Sequence, residues 1–260
     1  MGRASLGFIS AEPDLELVGA LERKDSPFVG KDASELSPIP EAKKTGILVA
    51  GDFAECVSRA KPDVILDFTR AEVASQYAKL ALENEIRPVV GTSGLSPETV
   101  SEIEALAKRK GVGAMIVPNF SVGAVLMMEF AKQCGPFYEN VEIIEMHHTG
   151  KIDAPSGTAM HTADNIAAAG GMFNQIRKTE HETLAGSRGG QHESGVRVHS
   201  LRLPGVISNQ EVIFAAEGEH LVVKHTSFNT TGFRKGILLA IRSVMGMNSL
   251  EVGLERLLKR

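Results

Sequence analysis

The first half of the chain alternates short apolar runs with longer stretches of helical periodicity, and this alternation restricts the fold more than any other feature. Four apolar runs bounded by Gly, Pro or Asp are typical of buried strands: residues 15–21, 64–68, 88–91 and 114–117. The stretches between them predict helices over residues 53–60, 71–84 and 97–110. Ser96 and Pro97 supply an N-cap and a first helical position for the last of these. Alternation of this kind favours a parallel sheet with helices on both faces.

The second half follows a different pattern. It predicts helices over residues 122–134 and 155–169, a strand over 141–147, and antiparallel strands over 195–203, 211–216 and 220–226. Residues 183–193 are polar and Gly-rich, which is typical of a loop, and two helices over 236–245 and 249–259 end the chain. We therefore expect an α/β fold. A Rossmann-like domain spans residues 1–120, and an α+β domain with a mostly antiparallel sheet spans 121–231. By pattern alone, the closing segment 232–260 could pack on either domain.

Composition excludes several classes of function. The chain has 28 Lys and Arg against 32 Asp and Glu, so nothing favours nucleic acid or an anionic membrane as a partner. No apolar run approaches the roughly 18 residues of a membrane-spanning helix. Cys56 and Cys134 lie far apart and neither belongs to a CxxC motif, so we expect free thiols in a reducing cytoplasm.

The stretch from Glu145 to Ala159, E-M-H-H-T-G-K-I-D-A-P-S-G-T-A, is the most unusual in the sequence. His147 and His148 end a strand, Lys151 follows, and Ser-Gly-Thr opens a helix. The N–H groups of a helix start and the helix dipole attract an anion, and Lys151 adds a positive charge. The expected ligand is a carboxylate, and the histidines beside it would titrate near neutral pH.

Each part of this stretch also has a simpler interpretation. Paired histidines can be ordinary surface residues, and a Ser-Gly-Thr helix start can be only a cap. Metal binding is disfavoured because adjacent strand residues point to opposite faces and no third ligand lies at zinc-like spacing, so we expect no metal. The combination of all these residues within a short stretch favours a site.

The same residues carry a resemblance to a known family, the 4-hydroxy-tetrahydrodipicolinate reductases, also called dihydrodipicolinate reductases, of bacterial and plant lysine biosynthesis. The chain resembles the family at Glu145, His147, His148, Lys151 and the Asp-Ala-Pro-Ser-Gly-Thr-Ala run. Shorter segments at residues 20–23, 67–70, 91–94 and 118–123 are similar to family segments in family order.

The resemblance implies that the first domain binds NADH or NADPH. Glu22 would accept hydrogen bonds from the adenosine ribose and Arg23 could pair with a 2′-phosphate, so both cofactors fit. The cofactor-binding residues implied are Met1, Glu22, Arg23, Gly91, Thr92, Ser93, Val117, Pro118, Asn119 and Phe120. Read alone, Glu22 and Arg23 are more typical of a solvated loop pair, and the other segments are as typical of a plain turn and a linker. Arg70 could flank the cofactor or form a salt bridge at a helix start.

The resemblance also implies the reaction. 4-Hydroxy-tetrahydrodipicolinate loses water to an imine, which hydride from the nicotinamide reduces to tetrahydrodipicolinate. His148, Gly157 and Thr158 would bind the dicarboxylate substrate, with His147 as acid/base and Lys151 as proton donor. By the same resemblance, residues 1–120 form a dinucleotide-binding domain with 232–260 packing back on it. Residues 121–231 serve substrate binding and oligomerisation, and their sheet would build a homotetramer. The compartment would be the cytoplasm, or the plastid stroma in a plant.

Two departures from the family pattern leave alternatives open. The family begins with a strand and a Gly-rich phosphate loop, whereas Met1-Gly2-Arg3-Ala4 looks like the tail of that loop, so we expect the first strand and most of the loop to be absent. Asn229-Thr230 stands where the family often has Ser-Arg. The alternatives are a reductase of the same fold acting on another carbonyl or imine, and a non-catalytic member that binds a dicarboxylate or serves only as a subunit.

Overall fold

A computed structural model describes residues 1–36, 45–92, 94–175 and 181–258 of the chain. The chain divides into two compact units, which we call unit 1 (Met1–Ser121 with Phe233–Arg260) and unit 2 (Val122–Gly232). The helices are α1 (Gly2–Ser10), α2 (Phe53–Ala60), α3 (Ala71–Glu83), α4 (Pro97–Lys110), α5 (Val122–Cys134), α6 (Gly157–Gly170), α7 (Arg234–Val244) and α8 (Glu255–Leu258). The strands are β1 (Ala20–Leu21), β2 (Val49–Ala50), β3 (Val64–Asp67), β4 (Arg87–Val90), β5 (Ala114–Ile116), β6 (Asn140–His147), β7 (Gly190–Gln191), β8 (Arg197–Arg202), β9 (Ser208–Ala216), β10 (Glu219–Ser227) and β11 (Leu250–Val252).

Unit 1 contains a four-stranded parallel sheet in the order β11-β5-β4-β3. Its strands are short and apolar, and Val89 and Val90 of β4 are fully buried. Helices α3 and α4 bury one core against the sheet, formed around Leu82, Ile103 and Ile116. This strand–helix alternation confirms the α/β, Rossmann-like architecture predicted for the first domain.

Helix α7 returns the chain to unit 1 and packs against β4 and β5. Its approach depends on Gly236, because a Cβ atom at this position would lie 2.0 Å from the carbonyl oxygen of Phe120. Ile237 and Val244 are fully buried on the same helix. Helix α7 therefore completes the core of unit 1.

Unit 2 is built on a five-stranded sheet in the order β10-β9-β6-β8-β7. Three of its four strand pairs are antiparallel, and only β6 and β8 run parallel. The core side of the sheet carries Val141, Ile143, Val212 and Phe214, which are buried together with Ile166 of α6. The second domain is thus α+β with a mostly antiparallel sheet, as predicted.

Several predicted helix limits are confirmed, because residues close to them in sequence determine where the helix begins or ends. Helices α2, α4 and α5 have the predicted limits. The Ser96 hydroxyl accepts a hydrogen bond from the Thr99 N–H at 3.2 Å, and Gly111 ends α4 with a positive φ of 65°.

Other predictions were wrong in ways that reflect non-local pairing. The run over 15–21 forms a strand only at β1, which pairs with β2 in a separate two-stranded sheet. The expected helix over 249–259 is replaced by β11 and the short α8, since residues 250–252 pair with β5 and Gly253 takes a φ of 84°. Residue 259 lies outside the described residues. Helix α1 and strand β7 were not predicted, and β8 runs parallel to β6 rather than antiparallel.

Candidate active site

Strand β6 carries two ionisable side chains to the site. Its residues alternate between the core and the open face of the sheet, and Glu145 falls on the core side, where it is fully buried. A buried carboxylate is costly unless several hydrogen bonds compensate for lost hydration. His147 lies two residues later on the same side of the strand, with a side chain only 12% exposed.

Several hydrogen bonds satisfy the buried carboxylate of Glu145. Arg202 of β8 binds both carboxylate oxygens, with Nη1 3.0 Å from Oε2 and Nη2 2.9 Å from Oε1. The Nδ1 atom of His147 lies 2.6 Å from Oε2, and the Ser156 N–H donates to Oε1 at 3.2 Å. Burial by itself raises the pKa of a carboxyl, but hydrogen bonds from Arg202, Ser200 and His147 outweigh it and hold the pKa of Glu145 below its usual range.

For His147, burial has the larger effect on the pKa. Burial lowers its pKa, and the nearby charges of Lys151 and Arg202 lower it too. The Glu145 carboxylate acts in the other direction but is outweighed, so the pKa of His147 lies below its ordinary value. The imidazole is consequently neutral at neutral pH.

Helix α6 begins with the predicted Ser-Gly-Thr run. The Ser156 hydroxyl is the N-cap and accepts a hydrogen bond from the Ala159 N–H at 3.2 Å. Gly157 and Thr158 are the first two residues of the helix, where N–H groups point out of the helix and attract an anion. The space beside Gly157 is open, because a Cβ added there would meet no atom within 4 Å.

The loop between β6 and α6 carries the remaining predicted residues. The Lys151 ammonium binds both carboxylate oxygens of Asp153, at 2.7 and 2.9 Å, and holds the pKa of that carboxyl below its usual range. His148 is exposed, and its carbonyl accepts a turn hydrogen bond from the Lys151 N–H. Arg202 Nη2 donates to the Asp153 carbonyl oxygen at 2.6 Å, which ties the loop to β8.

Arg202 was missed in the sequence, and Glu145 was noted in the motif but given no role. The parallel pairing of β6 with β8 places Arg202 directly across from His147. The two residues are far apart in sequence, and no local pattern indicates which strand pairs with β6. The one available signal was the position of Glu145 in an alternating strand, which places a carboxylate in the core.

Unit 1 holds several of the predicted cofactor-binding residues at the carboxyl ends of its parallel strands. The Gly91 N–H follows β4 and donates to the Asp67 carbonyl at 2.7 Å, and the Val117 N–H follows β5 and donates to the Val90 carbonyl at 2.8 Å. A Cβ on Gly91 would lie 2.3–2.7 Å from ring atoms of Phe68 and Phe120, so only glycine fits.

The neighbouring residues are held by short local contacts. The Thr92 hydroxyl donates to the Thr69 carbonyl at 2.6 Å, and the Asn119 side-chain oxygen accepts from the Ser121 N–H at 2.8 Å. Phe120 is buried, with its ring centroid 5.4 Å from that of Phe68. Pro118 lies between Val117 and Asn119 and is exposed. Ser93 lies outside the described residues.

The residues predicted for the adenosine and pyrophosphate end are largely exposed. Glu22 follows β1 and accepts a hydrogen bond from the Arg23 N–H at 2.9 Å, while Arg23 forms an ion pair with Asp25 at 3.5 Å. Met1 is the N-cap residue of α1. Arg70 is the N-cap residue of α3.

A nicotinamide dinucleotide fits the edge of the sheet formed by β3, β4 and β5. Ligands of open parallel sheets bind beyond the carboxyl ends of the strands. Asp67 ends β3 at this edge, and its Oδ2 atom is buried with no hydrogen-bond partner in the part of the chain described. A buried acceptor of this kind suits a hydroxyl or amide donor, both of which a nicotinamide nucleotide carries.

The described residues carry no cluster of three or more His, Cys, Asp and Glu side chains arranged to hold a metal ion. Cys56 and Cys134 are free thiols. None of the helices within the described ranges is long and apolar enough to cross a membrane.

Comparison with known proteins places the whole chain in one family. The family models described as dihydrodipicolinate reductase, N-terminus and C-terminus, match residues 1–120 and 123–258. The 4-hydroxy-tetrahydrodipicolinate reductase of Listeria innocua is 42% identical over 258 residues, which cover 99% of this chain and 95% of that protein. The enzyme of the same name from Bacillus subtilis is 39% identical, with 99% and 94% covered.

Comparison with solved structures supports the same family. The dipicolinate-bound dihydrodipicolinate reductase from Paenisporosarcina sp. is 36% identical with a TM-score of 0.84, covering 99% of this chain and 96% of that one. An amine dehydrogenase from Mycobacterium smegmatis, 18% identical with a TM-score of 0.64 and covering 98% and 93% of the two chains, shares the fold alone. With both family models matched across two units of the expected folds, the chain belongs to the dihydrodipicolinate reductase family of oxidoreductases.

Proposed function

We propose that this protein reduces 4-hydroxy-tetrahydrodipicolinate, with loss of water and with NADH or NADPH as reductant, to tetrahydrodipicolinate in lysine and diaminopimelate biosynthesis. The observation that carries the proposal is the arrangement around Glu145: a neutral histidine and a helix N-terminus joined by one carboxylate, with a lysine beside them. A solved relative is described as binding dipicolinate, a planar dicarboxylate, which is consistent with this choice of substrate.

The substrate carboxylates would bind at two places in unit 2. One carboxylate would accept hydrogen bonds from the N–H groups of Gly157 and Thr158 at the start of α6. Lys151 and His148 would hold the substrate from the other side. Lys151 is paired with Asp153 in the structure, so an incoming carboxylate would exchange one anionic partner of Lys151 for another.

Reduction of the imine leaves an enamine-like anion that needs a proton. His147 serves as acid/base, but its lowered pKa leaves it neutral at neutral pH, where it accepts protons rather than donates them. Lys151 carries the ammonium group beside it. We therefore assign proton delivery to Lys151.

The reduced nicotinamide supplies the hydride when it is bound. Glu22 would accept hydrogen bonds from the adenosine ribose, and Arg23 beside it would bind a 2′-phosphate, so both NADH and NADPH would serve. Met1 would lie on the pyrophosphate side. The segments that would line the nicotinamide side are Gly91, Thr92 and Ser93 together with Val117, Pro118, Asn119 and Phe120.

Assembly into a homotetramer would use the open face of the five-stranded sheet of unit 2. Ile144 and Ile213 are only partly buried on this face, and Val222 of β10 is 49% exposed. The same face carries ion pairs of Glu142 with His199 and of Glu211 with Lys224, so the proposed interface would combine apolar and charged contacts. The two free thiols are consistent with the reducing cytoplasm as its compartment.

The direct test is loss of nicotinamide absorbance when freshly made 4-hydroxy-tetrahydrodipicolinate is added to the purified protein, with each cofactor in turn. We expect turnover, competitive inhibition by dipicolinate and much weaker inhibition by the monocarboxylate picolinate. Dipicolinate binding without any oxidation of either cofactor would instead support the non-catalytic alternative. Equal inhibition by the two compounds would argue against a dicarboxylate site.

A further inference from the structure

The buried carboxylate of Glu145 connects three parts of unit 2. Its Oε2 atom contacts the imidazole of His147 at the end of β6, and its Oε1 atom accepts the N–H of Ser156 at the cap of α6. Arg202 of β8 binds both oxygens and also the backbone carbonyl of Asp153 in the intervening loop. One carboxylate thus joins the strand, the helix start and, through Arg202, the loop between them.

We propose that Glu145 is a positioning residue, which holds His147 in the tautomer with its proton on Nδ1 and fixes the imidazole relative to the helix start that takes a substrate carboxylate. This role deepens the proposed function and rests on it. Arg202 keeps the carboxylate in place by occupying both of its oxygens in a bidentate pair.

The tautomer follows from the chemistry of the contact. An ionised carboxylate only accepts hydrogen bonds, so the short contact to Glu145 requires a proton on Nδ1 of His147. A neutral imidazole with a proton on Nδ1 keeps its lone pair on Nε2. His147 therefore presents a base at Nε2, and a proton arriving there produces an imidazolium that the Glu145 charge stabilises.

The charged groups around His147 give the expected sign of a substitution. Glu145 raises the pKa of His147, whereas burial, Lys151 and Arg202 lower it. Glu145→Gln keeps the size of the side chain and can still accept a hydrogen bond, but it removes the one charge that raises the pKa. We therefore expect the pKa of His147 to fall further in this variant.

The first measurement is the histidine titration by nitrogen NMR of the full chain with labelled histidine, the His147 signal being assigned by its loss in His147→Gln. In Glu145→Gln, the titration of His147 moves to lower pH. The limb of the kcat/KM–pH profile that His147 controls moves with it, and maximal kcat/KM falls roughly 10- to 100-fold, as for other partners that orient a functional histidine.

Asp164→Asn is the matched control, because it removes the carboxylate from another histidine pair in unit 2. The Nε2 atom of His192 lies 3.1 Å from Asp164 Oδ1, and the Asp164 side chain is 59% exposed. We expect this variant to leave both the His147 titration and the pH profile unchanged. A purely structural loss in Glu145→Gln would lower activity without moving the pH profile.

The unsubstituted protein provides a test that does not depend on folding of the variant. Its NMR spectrum at neutral pH should show His147 protonated at Nδ1 and unprotonated at Nε2. A proton on Nε2, or an unchanged His147 titration in a folded Glu145→Gln protein, would overturn the inference. If the protein binds dipicolinate and shows the expected tautomer but does not reduce the substrate, the proposed reaction fails while the positioning role stands.

Discussion

At the scale of single residues, the ion pair between Lys151 and Asp153 bears on how readily the proposed site would accept an anion. The Asp153 side chain is 58% exposed, and exposed ion pairs contribute only about 0–1 kcal/mol. In the proposed mode of binding, a substrate carboxylate at Gly157 and Thr158 would therefore displace Asp153 at little cost. Lys151 is held near the site by a partner that it can readily leave.

Replacement of Lys151 by Ala would remove both the proposed substrate contact and the proposed proton donor. We expect kcat/KM for the proposed substrate to fall by roughly 10²- to 10⁴-fold, the usual range for a lost acid–base group. Lys132→Ala, which removes an exposed lysine from the last turn of α5, should leave kcat/KM unchanged. Turnover by Lys151→Ala close to that of the unsubstituted protein would remove Lys151 from the mechanism.

At the scale of elements, the sequence predicts best what local chemistry determines. Helix α4 has a serine cap, a first-turn proline and a terminal glycine within a few residues of its ends, so both its limits were predictable. Strand β11 and the short β1 depend on partners distant in sequence, and the pattern of their own residues was misleading. The same reason separates the motif residues of the site, which lie in one stretch, from Arg202, which β8 brings to it.

The N-cap of α6 offers a prediction at this scale. Ser156→Ala removes the cap hydrogen bond to the Ala159 N–H and should lower the free energy of unfolding by about 1 kcal/mol. Because the cap also shapes the proposed carboxylate site, dipicolinate should bind roughly twofold to fivefold more weakly. Urea unfolding and calorimetric titration measure the two effects.

Ser96→Ala is the matched comparison, since Ser96 caps α4 with a hydrogen bond of the same length, 3.2 Å, in unit 1. It should cost about the same stability and leave dipicolinate affinity unchanged. Equal loss of affinity in the two variants would show that general stability, and not the start of α6, controls binding.

At the scale of the whole molecule, each unit has its own buried core, but the two sheets differ in how far their faces are covered. In unit 1 the four-stranded sheet is covered by α3 and α4 and by the returning α7. In unit 2 the buried residues of β6 and β9 all lie on the core side, and the opposite face keeps partly exposed Ile144 and Ile213. The proposed homotetramer would cover these apolar side chains together with the neighbouring ion pairs of Glu142 with His199 and of Glu211 with Lys224.

Val222→Asp tests this assembly without disturbing either core. Val222 lies on β10, an edge strand of the five-stranded sheet, and is 49% exposed, so an aspartate is tolerated in the isolated chain. In an interface the same charge would be buried without a partner, at a cost of about 3–5 kcal/mol, which weakens association by roughly 10²-fold or more. Sedimentation velocity should show a tetramer for the unsubstituted protein and smaller species for Val222→Asp.

Val252→Asp is the matched control, because Val252 has the same 49% exposure on β11, an edge strand in unit 1, and should leave the tetramer intact. A tetramer that persists in Val222→Asp, or dissociates equally in both variants, would place the interface elsewhere.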